Sequence, residues 1–423
     1  MRDMVAFDCH EHIPSARKLY RETYGDGADI IHVLRGFWIH DQTDLPSDTP
    51  KTLDQYEELS RTLKTIAGNG HLIACIRAIK EIYDVDIVNL DAKSLMSASG
   101  VIKSFYEKED WHATLIKKYA NVQRVVTEHG PWTLWNDELF SDYSSAALNT
   151  DIFTACYNRT VKGGAFADYY RRGLSVFTWA DELGRQISDF DDYLGFVDYI
   201  FSQARSKGFI CVKSKLAYER DLFFDIVKEE DVRNIFGKDS VTPSQKKQFS
   251  DYMVHYIIRK SIEYDFPIKI HTGLVGLPAL GLDVKGRYEG INPLNLVNLF
   301  HQHPDANFVL LHGGFPWSNE IASLPIQKYR NNVNVDIGWS VLVSRRVTKA
   351  LLRDLISITG GRRIMWGGDT GSGEAVYGSL NMTKDIIAQV LTEYVEDNVM
   401  SSENALGIAE NILMGNATSI FKQ

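Results

Sequence analysis

The amino-acid sequence contains few cysteines, no long apolar run and no excess of positive charge. Its 423 residues include four cysteines that are scattered along the chain, without Cys-x-x-Cys or zinc-ribbon spacing. They are therefore expected to be buried thiols in a reducing compartment. Lysine and arginine number 46 against 55 aspartates and glutamates, which gives a net charge of −9. This balance, with no basic block, argues against nucleic acid or an anionic membrane as a partner.

Segments that would send the chain to a membrane are also missing from the sequence. No run of roughly 18 apolar residues is present that could span a bilayer, and the first residues, MRDMVAFDCH, contain no apolar signal-peptide core. We therefore expect a cytoplasmic protein whose partner is a small-molecule substrate. A homo-oligomer is expected only from the general frequency of oligomers among soluble proteins.

The motifs of several other enzyme classes are absent as well. The segment GGDTGSG is rich in glycine, but it lacks the Lys-Ser/Thr of a phosphate loop and the third glycine of a dinucleotide fingerprint. No Gly-x-Ser-x-Gly elbow accompanies a catalytic triad, and HExxH and HxxEH are both missing. Nucleotide binding, serine hydrolase chemistry and HExxH-type metalloprotease chemistry therefore receive no support.

Short apolar segments rich in Val, Ile and Phe recur along the chain and predict β-strands. Most are almost continuously apolar, as expected for a parallel sheet that is covered on both faces. The eight predicted strands are Val5–His10, Val122–Glu128, Leu174–Ala180, Phe209–Lys213, Pro267–Thr272, Asn307–His312, Val333–Ile337 and Arg363–Gly368. Helix-period segments separate the later strands, so the pattern predicts an α/β fold, a (β/α)8 TIM barrel. A doubly wound open sheet is the alternative.

The connection between the first two predicted strands is unusually long. Within it, Asp54–Gly68, Ile73–Tyr83 and Lys93–Tyr119 carry apolar residues at helical spacing. Because a connection of this length should have structure of its own, we predict a helical insertion over residues 25–120 that covers the barrel mouth. The length would allow two or three domains, but (β/α)8 barrels with insertions can exceed ~400 residues. Residues 1–423 are therefore predicted to form a single barrel domain.

Histidines and an aspartate lie at the ends of several predicted strands. The first strand leads into FDCHEH, in which His10 and His12 are two residues apart and point to the same face of an extended strand. His271 and His312 end the fifth and sixth strands, and Asp369 follows the eighth. The carboxyl ends of barrel strands meet on one face, where active sites lie, and imidazole and carboxylate groups are ligands of catalytic metal ions. The pattern predicts a metal centre on this face.

These motifs resemble those of the amidohydrolase superfamily. The similarity is greatest to its amidohydrolase-related branch, which includes the amidohydrolase-like half of nodulin/glutamine-synthetase-like fusions. The motifs are HxH at His10 and His12, KIHTG with His271, LLHGGFPW with His312, and WGGDTG with Asp369. The segment ILMGNATSIF also looks like the closing helix of the family.

The resemblance implies a role for each of these five residues. His10, His12 and His271 would bind a divalent metal ion, with Asp369 as a further ligand or a neighbour. Asp369 would also accept the proton of metal-activated water and pass it to the leaving group. His312 would bind a second metal ion or polarise the carbonyl group of the substrate.

The segment GFICVKSKLAYER resembles the fourth-strand stretch of the nodulin-like branch. It places Lys213 where some members have a carboxylated lysine that bridges two metal ions. Without carboxylation, Lys213 could be a catalytic-site cation for a substrate carboxylate, or a buried strand lysine paired with an acidic residue. One or two ions are therefore expected, depending on Lys213. Zn²⁺ is the expected metal, with Mn²⁺, Fe²⁺ and Ni²⁺ as alternatives.

Three residues beyond the strand ends are candidate substrate ligands. Tyr218 and Arg220 follow the fourth predicted strand, and they could hold an anionic substrate because arginine suits bidentate carboxylate binding. A surface salt bridge is equally expected for Arg220. Trp317 could line the pocket with Trp339 and Trp366, although all three could instead be core aromatics.

The predicted function is that of a metal-dependent hydrolase. In this reaction, metal-activated water would attack a C–N or C–O bond of a small, carboxylate-bearing substrate. A metal-dependent decarboxylase and a uronate-type isomerase are the alternative enzymes on the same site. The non-enzyme alternative is a catalytically inactive barrel that acts as a scaffold or sensor, which the complete ligand set disfavours.

Overall fold

Eight parallel strands form the centre of the computed structural model, which describes residues 1–13, 28–108, 110–130, 134, 142–161, 175–274, 289–326 and 332–422. The strands are β1 (Ala6–Glu11), β2 (Val122–His129), β3 (Ser144–Asn149), β4 (Phe209–Ser214), β5 (Ile268–His271), β6 (Phe308–Leu311), β7 (Val333–Asp336) and β8 (Ile364–Met365). They pair side by side in chain order. The Cys9 amide donates to the Trp366 carbonyl at 3.1 Å, which joins the last strand to the first. The predicted (β/α)8 barrel is confirmed.

The strand predicted at Leu174–Ala180 is wrong. Leu174 lies outside the described residues, and Val176–Glu182 is an α-helix. The helix begins at a capping box, in which the Ser175 hydroxyl accepts a hydrogen bond from the Thr178 amide at 3.2 Å. Its apolar residues recur at helical spacing and are buried. A capping box before a short apolar run favours a helix, and this local signal outweighs the β-propensity of the run.

The third strand is instead Ser144–Asn149, with the sequence SSAALN. Small and polar residues dominate it, so it lacks the β-branched signal by which the other strands were predicted. All six residues are buried, because β2 and β4 pair with it on either side. Tertiary pairing therefore makes this segment a strand.

Helices connect β1 to β2 within residues 28–119. The α-helices are Ile30–Gly36, Leu53–Lys64, Gly70–Tyr83, Ala92–Tyr106 and Trp111–Thr114, with a 3-10 helix at Ile39–Asp41 and a π-helix at Leu115–Tyr119. Capping residues define several of their starts; the Thr52 hydroxyl, for example, accepts from the Gln55 amide within a capping box. Whether the segment is an insertion relative to other barrels, and whether the chain is a single domain, stay predictions.

The remaining helices follow the later strands. The α-helices are Ile152–Ala155, Val176–Glu182, Phe190–Ser206, Glu229–Arg233, Pro243–Glu263, Val297–Gln302, Ser318–Ser323, Ser340–Val343, Arg345–Thr359, Gly373–Glu396, Ser402–Glu410 and Asn416–Phe421. Short 3-10 helices lie at Leu216–Tyr218, Pro293–Leu296, His312–Gly314 and Leu324–Ile326, and a π-helix at Asn411–Gly415. Within the described ranges, no helix combines the length and the apolar character needed to cross a bilayer.

The C-terminal helix Asn416–Phe421 packs against the barrel at the start of β1. The rings of Phe421 and Phe7 are stacked with their centroids 5.7 Å apart. Apolar side chains from several strands, including Val126 and Val309, belong to the same buried cluster. This end of the barrel is therefore filled with apolar side chains, and the polar groups of the barrel gather at the carboxyl ends of the strands.

Candidate metal centre

Two histidines and one aspartate meet at the carboxyl ends of β1 and β8. The Nε2 atoms of His10 and His12 lie 3.3 and 3.1 Å from the same Oδ1 atom of Asp369. One ligand atom from each of the three residues lies within 4.8 Å of the others. In the part of the chain that the structure describes, no other group of three or more His, Cys, Asp or Glu residues has this arrangement. It is a candidate site for a metal ion.

Close approach of the backbones brings Asp369 to the two histidines. The Asp369 amide donates to the His10 carbonyl at 2.9 Å. A Cβ atom at Gly367 would lie 2.9 Å from the Cβ of His10, so glycine is required there. Asp369 itself has φ of 51°, a left-handed conformation that is rare for residues other than glycine. Such strain is typical of functional sites.

Buried carboxylates hold the backbone of this site in place. Asp8 accepts hydrogen bonds from the amides of His10 (3.1 Å) and Gly368 (3.0 Å). Glu11 accepts from the amide of Thr370 at 2.7 Å and from its hydroxyl group at 3.0 Å. Burial raises the pKa of Asp8 to about 7. The sequence analysis missed both carboxylates, although both belong to the same FDCHEH motif.

A third missed carboxylate, Asp336 at the end of β7, connects β6 to β8. It accepts hydrogen bonds from the amides of Gly338 (2.7 Å), Gly367 (2.8 Å) and His312 (3.4 Å). Burial raises the pKa of Asp336 to about 7. Its position at the end of a predicted strand was the signal that could have identified it.

His312 approaches the other carboxylate oxygen of Asp369. Its Nδ1 atom is 3.4 Å from Asp369 Oδ2. The contact is too loose for a hydrogen bond, and neither ring nitrogen of this buried residue has a hydrogen-bond partner among the described residues. Burial lowers the pKa of His312 to about 3, so the imidazole is neutral. Buried nitrogens without partners are rare, and their presence fits a site that receives a ligand.

His271 is close to this group, but its described contacts differ. Its Nε2 atom lies 3.0 Å from the carbonyl oxygen of Leu274. Its ring centroid lies 4.5 Å from that of His312 and 4.6 Å from that of Tyr218. The structure therefore places His271 and Tyr218 beside His312, and does not bring His271 into the group formed by His10, His12 and Asp369.

Two buried lysines flank the ring of His10. Lys213 Nζ lies 3.2 Å from Nε2, and Lys269 Nζ lies 3.2 Å from Nδ1 while donating to the Cys9 carbonyl at 2.9 Å. Burial and these two cations hold the pKa of His10 well below its usual value. Burial also lowers the pKa of Lys213 to about 7. His10 is therefore neutral, which is the form that binds metal ions.

A buried ion pair occupies the neighbouring part of the barrel mouth, at the ends of β2 to β4. Lys215 Nζ lies 2.6 Å from Glu128 Oε1, and the Asn149 side-chain amide donates to the same oxygen at 2.8 Å. Burial alone would raise the pKa of Glu128, but Lys215 and Lys213 outweigh it and hold the pKa well below its usual value. Glu128 was also missed by the sequence analysis, although it ends a correctly predicted strand.

The other predicted substrate ligands have structural contacts outside the cluster. Arg220 Nη2 lies 2.6 Å from Asp251 Oδ1, and the same nitrogen donates to the Phe223 carbonyl at 2.9 Å. Trp317 is partly buried against the hydrophobic core. Trp366 is completely buried, as expected for a core aromatic residue. The substrate-binding roles of Arg220 and Trp317 stay predictions, as does that of Tyr218.

Residues from the β1–β2 connection also border the cluster. The Trp38 indole N–H donates to the Asp369 carbonyl at 2.6 Å, and its ring lies 5.9 Å from that of His12. Trp339 lies between His312, at 5.6 Å, and His71 of the helix Gly70–Tyr83, at 6.1 Å. The helical connection therefore contributes directly to the walls of the site.

The donor set fits a divalent metal ion. Neutral imidazole nitrogens and a carboxylate are typical ligands of catalytic Zn²⁺. Burial alone would raise the pKa of Asp369, but His312, His10 and His12 outweigh it and hold the pKa well below its usual value, so the carboxylate is anionic. The side chains of His12 and Asp369 are 28% and 14% exposed, whereas those of His10 and His312 are 1% exposed. A small molecule can therefore reach the cluster from the side of His12.

Residues 236–370 match the family model described as Amidohydrolase. Protein fluG of Emericella nidulans is 26% identical over 226 residues, which cover 50% of this chain and 25% of that protein. The match thus spans about a quarter of the length of this curated relative.

Solved structures share the fold over the whole chain. A uronate isomerase from Thermotoga maritima has a TM-score of 0.78 at 13% identity, covering 100% of this chain and 95% of that one. A candidate metal-dependent hydrolase from Lactobacillus casei has a TM-score of 0.64 at 16% identity, covering 100% and 96%. At these identities the likeness shows the fold alone. The match of residues 236–370 to the family model confirms the predicted resemblance to amidohydrolases.

Proposed function

We propose that this amidohydrolase-like barrel is a metal-dependent hydrolase that cleaves a C–N or C–O bond of a small, carboxylate-bearing substrate. The observation that carries the proposal is the convergence of His10, His12 and Asp369 at the carboxyl ends of the strands. This is the face on which (β/α)8 enzymes have their active sites. Lysines near the cluster favour an anionic substrate.

His10, His12 and Asp369 would hold the ion, and their nitrogen and oxygen donors suit Zn²⁺, with Mn²⁺, Fe²⁺ or Ni²⁺ as alternatives. Such an ion, when bound, activates water for attack and polarises the bond to be cleaved. Lys213 would become an oxygen ligand only if carboxylated; as a protonated ammonium group beside His10 it would attract a substrate carboxylate. His271 would join the ligands only after its Nε2 leaves the Leu274 carbonyl.

Two side chains of the cluster can move or hold protons during the reaction. Asp369 is anionic and partly exposed, so it can accept a proton from attacking water and deliver it to the leaving group. His312 is neutral and buried, so the single N–H of its imidazole can donate a hydrogen bond to a carbonyl oxygen of the substrate. The two side chains are 3.4 Å apart, so both could reach the same bond of a substrate bound against them.

The test combines metal analysis with an assay panel. The purified full chain should contain stoichiometric metal and should hydrolyse a member of a panel of amides, lactones and N-acyl compounds that carry a carboxylate. Asp369→Asn and His10→Ala should abolish both the metal content and the hydrolysis. His40→Ala, which changes an exposed histidine outside the cluster, is the matched control. Protein that lacks metal, or activity that survives both cluster substitutions, would refute the proposal and favour a non-enzymatic scaffold or sensor.

A decarboxylase or a uronate-type isomerase could use the same side chains. A uronate isomerase shares the fold, although the fold alone does not assign the reaction. The three reactions differ in what they consume and release. Hydrolysis in isotopically labelled water places a solvent oxygen in the product, decarboxylation releases CO₂, and isomerisation does neither. Product analysis by mass spectrometry therefore separates them.

A further inference from the structure

One carboxylate oxygen of the buried ion pair at the ends of β2 to β4 has no hydrogen-bond donor among the described residues. The Glu128 side chain is 1% exposed, and its Oε1 atom contacts both Lys215 Nζ and the Asn149 amide. Its Oε2 atom is buried as well, and no described residue donates a hydrogen bond to it. The two oxygens of one carboxylate therefore have very different surroundings.

A buried carboxylate oxygen without a donor is unfavourable, because the charge has lost its water and gained no hydrogen bond in return. The ion pair with Lys215, at 2.6 Å, keeps Glu128 charged, so Oε2 is a strong acceptor. Glu128 lies near the carboxyl end of β2, and Glu11 of β1 pairs with the preceding residue, Thr127, so Glu128 is at the same end of the barrel as His10 and His12. A molecule bound at the metal centre would therefore occupy the same mouth of the barrel as this carboxylate.

The surroundings of Oε2 indicate which kind of group it accepts. It has no neighbouring set of ligands for a second metal ion, since the candidate metal group of the described residues contains only His10, His12 and Asp369. A cationic partner is disfavoured by the ammonium group of Lys215 on the adjacent oxygen. An uncharged donor remains, and a hydroxyl group is the uncharged donor that small carboxylates commonly carry.

We propose that Oε2 of Glu128 accepts a hydrogen bond from a hydroxyl group of the substrate, which makes Glu128 a specificity-determining residue and the substrate a hydroxylated carboxylate. The inference rests on the proposed function, because it takes the barrel mouth as the place where substrate binds. A site built to bond a substrate hydroxyl group discriminates strongly against analogues without it, since the buried acceptor is then left unpaired.

The experiment measures binding of matched small acids to the Zn²⁺-loaded full chain by titration calorimetry. The pairs are lactate with propionate, glycerate with lactate, and gluconate with hexanoate. Wild-type protein should bind the more hydroxylated acid at least about tenfold more tightly in one or more pairs. Glu128→Ala should reduce that preference to less than about twofold. Glu81→Ala removes a glutamate outside the barrel mouth that is paired with Arg77, and it should keep the preference.

A second variant covers the case in which Glu128→Ala does not fold because Lys215 loses the carboxylate that lies 2.6 Å from its ammonium group. The double variant Glu128→Met/Lys215→Met replaces the ion pair with apolar groups of similar size, a change that is often tolerated. It should fold, retain Zn²⁺ and lack the hydroxyl preference. A preference that is absent in the wild type, or that persists in both variants, overturns the inference.

The outcomes also separate this inference from the proposed function. Alanine, the ammonium analogue of lactate, is included in the panel. Tighter binding of alanine than of lactate would show that Oε2 prefers an ammonium group to a hydroxyl group, and it would overturn the inference. A Glu128-dependent hydroxyl preference in protein that binds no Zn²⁺ would overturn the metal-dependent function and leave the inference standing. Stoichiometric Zn²⁺ without any hydroxyl preference would overturn the inference and leave the metal-dependent function standing.

Discussion

The mouth of the barrel has two sides that use charge in opposite ways. The histidine side consists of His10, His12, His312 and Asp369, and the glutamate side consists of Glu128, Asn149, Lys213 and Lys215. On the histidine side, imidazole nitrogens and a carboxylate face one another, an arrangement that an external cation would stabilise. On the glutamate side, opposite charges already neutralise each other and a single oxygen stays open. In the proposed function, equivalent positions at strand ends would serve two purposes: metal binding on one side and substrate selection on the other.

The largest expected effect is the loss of metal binding from the histidine side. Asp369→Asn and His12→Ala should each weaken Zn²⁺ binding by roughly 1000-fold, more than the ~10–100-fold that follows loss of an outer-shell partner. Competition with a chromogenic chelator measures the affinity. His40→Ala should leave the affinity unchanged, since its side chain is 40% exposed, forms a loose ion pair with Asp41 and is not among the candidate metal ligands, although its ring lies 5.7 Å from that of Trp38. An unchanged Zn²⁺ affinity in Asp369→Asn would show that the histidine side is not the metal-binding side.

The next effect concerns stability on the glutamate side. Glu128→Ala should lower the free energy of unfolding by ~3 kcal/mol, because the largely buried Lys215 ammonium loses the carboxylate that lies 2.6 Å from it. Urea denaturation measures this loss. The double variant Glu128→Met/Lys215→Met should lose less than the sum of its single variants. Glu81→Ala breaks a more exposed pair with Arg77 and should cost less than ~1 kcal/mol. Additive losses would show that the buried pair is not coupled.

Removal of metal should affect the histidine side alone. At free Zn²⁺ about 100-fold above the dissociation constant, chelation should lower the free energy of unfolding of the wild type by ~2.7 kcal/mol, since only the folded chain presents the site. The double variant Glu128→Met/Lys215→Met should respond in the same way. Asp369→Asn should show no response, because its site no longer binds the ion. Calorimetric unfolding with and without chelator provides the measurement. A chelator-induced loss of stability confined to the glutamate-side variants would contradict the assignment of metal binding to the histidine side.

The smallest effect is expected at the border of the histidine side. Trp38→Phe removes the indole N–H that donates to the Asp369 carbonyl, which should lower stability by about 1 kcal/mol and Zn²⁺ affinity by about tenfold. Trp111→Phe is the matched control, because its indole N–H donates to the Tyr83 hydroxyl away from the cluster. It should change stability only. Equal Zn²⁺ affinities for both variants would show that Trp38 does not position Asp369.

Most of the barrel could be predicted because its strands are apolar runs separated by helical periods. The exception, Ser144–Asn149, has small side chains and becomes a strand only through its pairing with β2 and β4. His10, His12 and Asp369 were predicted because they lie at the carboxyl ends of predicted strands. Glu128 and Asp336 lie at such ends as well, so the same criterion, applied to every acidic residue, also identifies them. No such criterion gives the partner of Arg220, because Asp251 lies on a helix whose position depends on packing.

By itself, the sequence determined which chemical groups stand at the carboxyl ends of the strands, because strand ends in a parallel barrel all reach the same face. Only the tertiary structure decided which of those groups meet. It turns Asp369 to His10 and His12, His271 to the Leu274 carbonyl, and Lys215 to Glu128. These contacts depend on strand register, on left-handed turns such as the one at Asp369, and on side-chain orientations. All three are set by the packing of segments that are far apart in the chain, which local propensity and periodicity cannot specify.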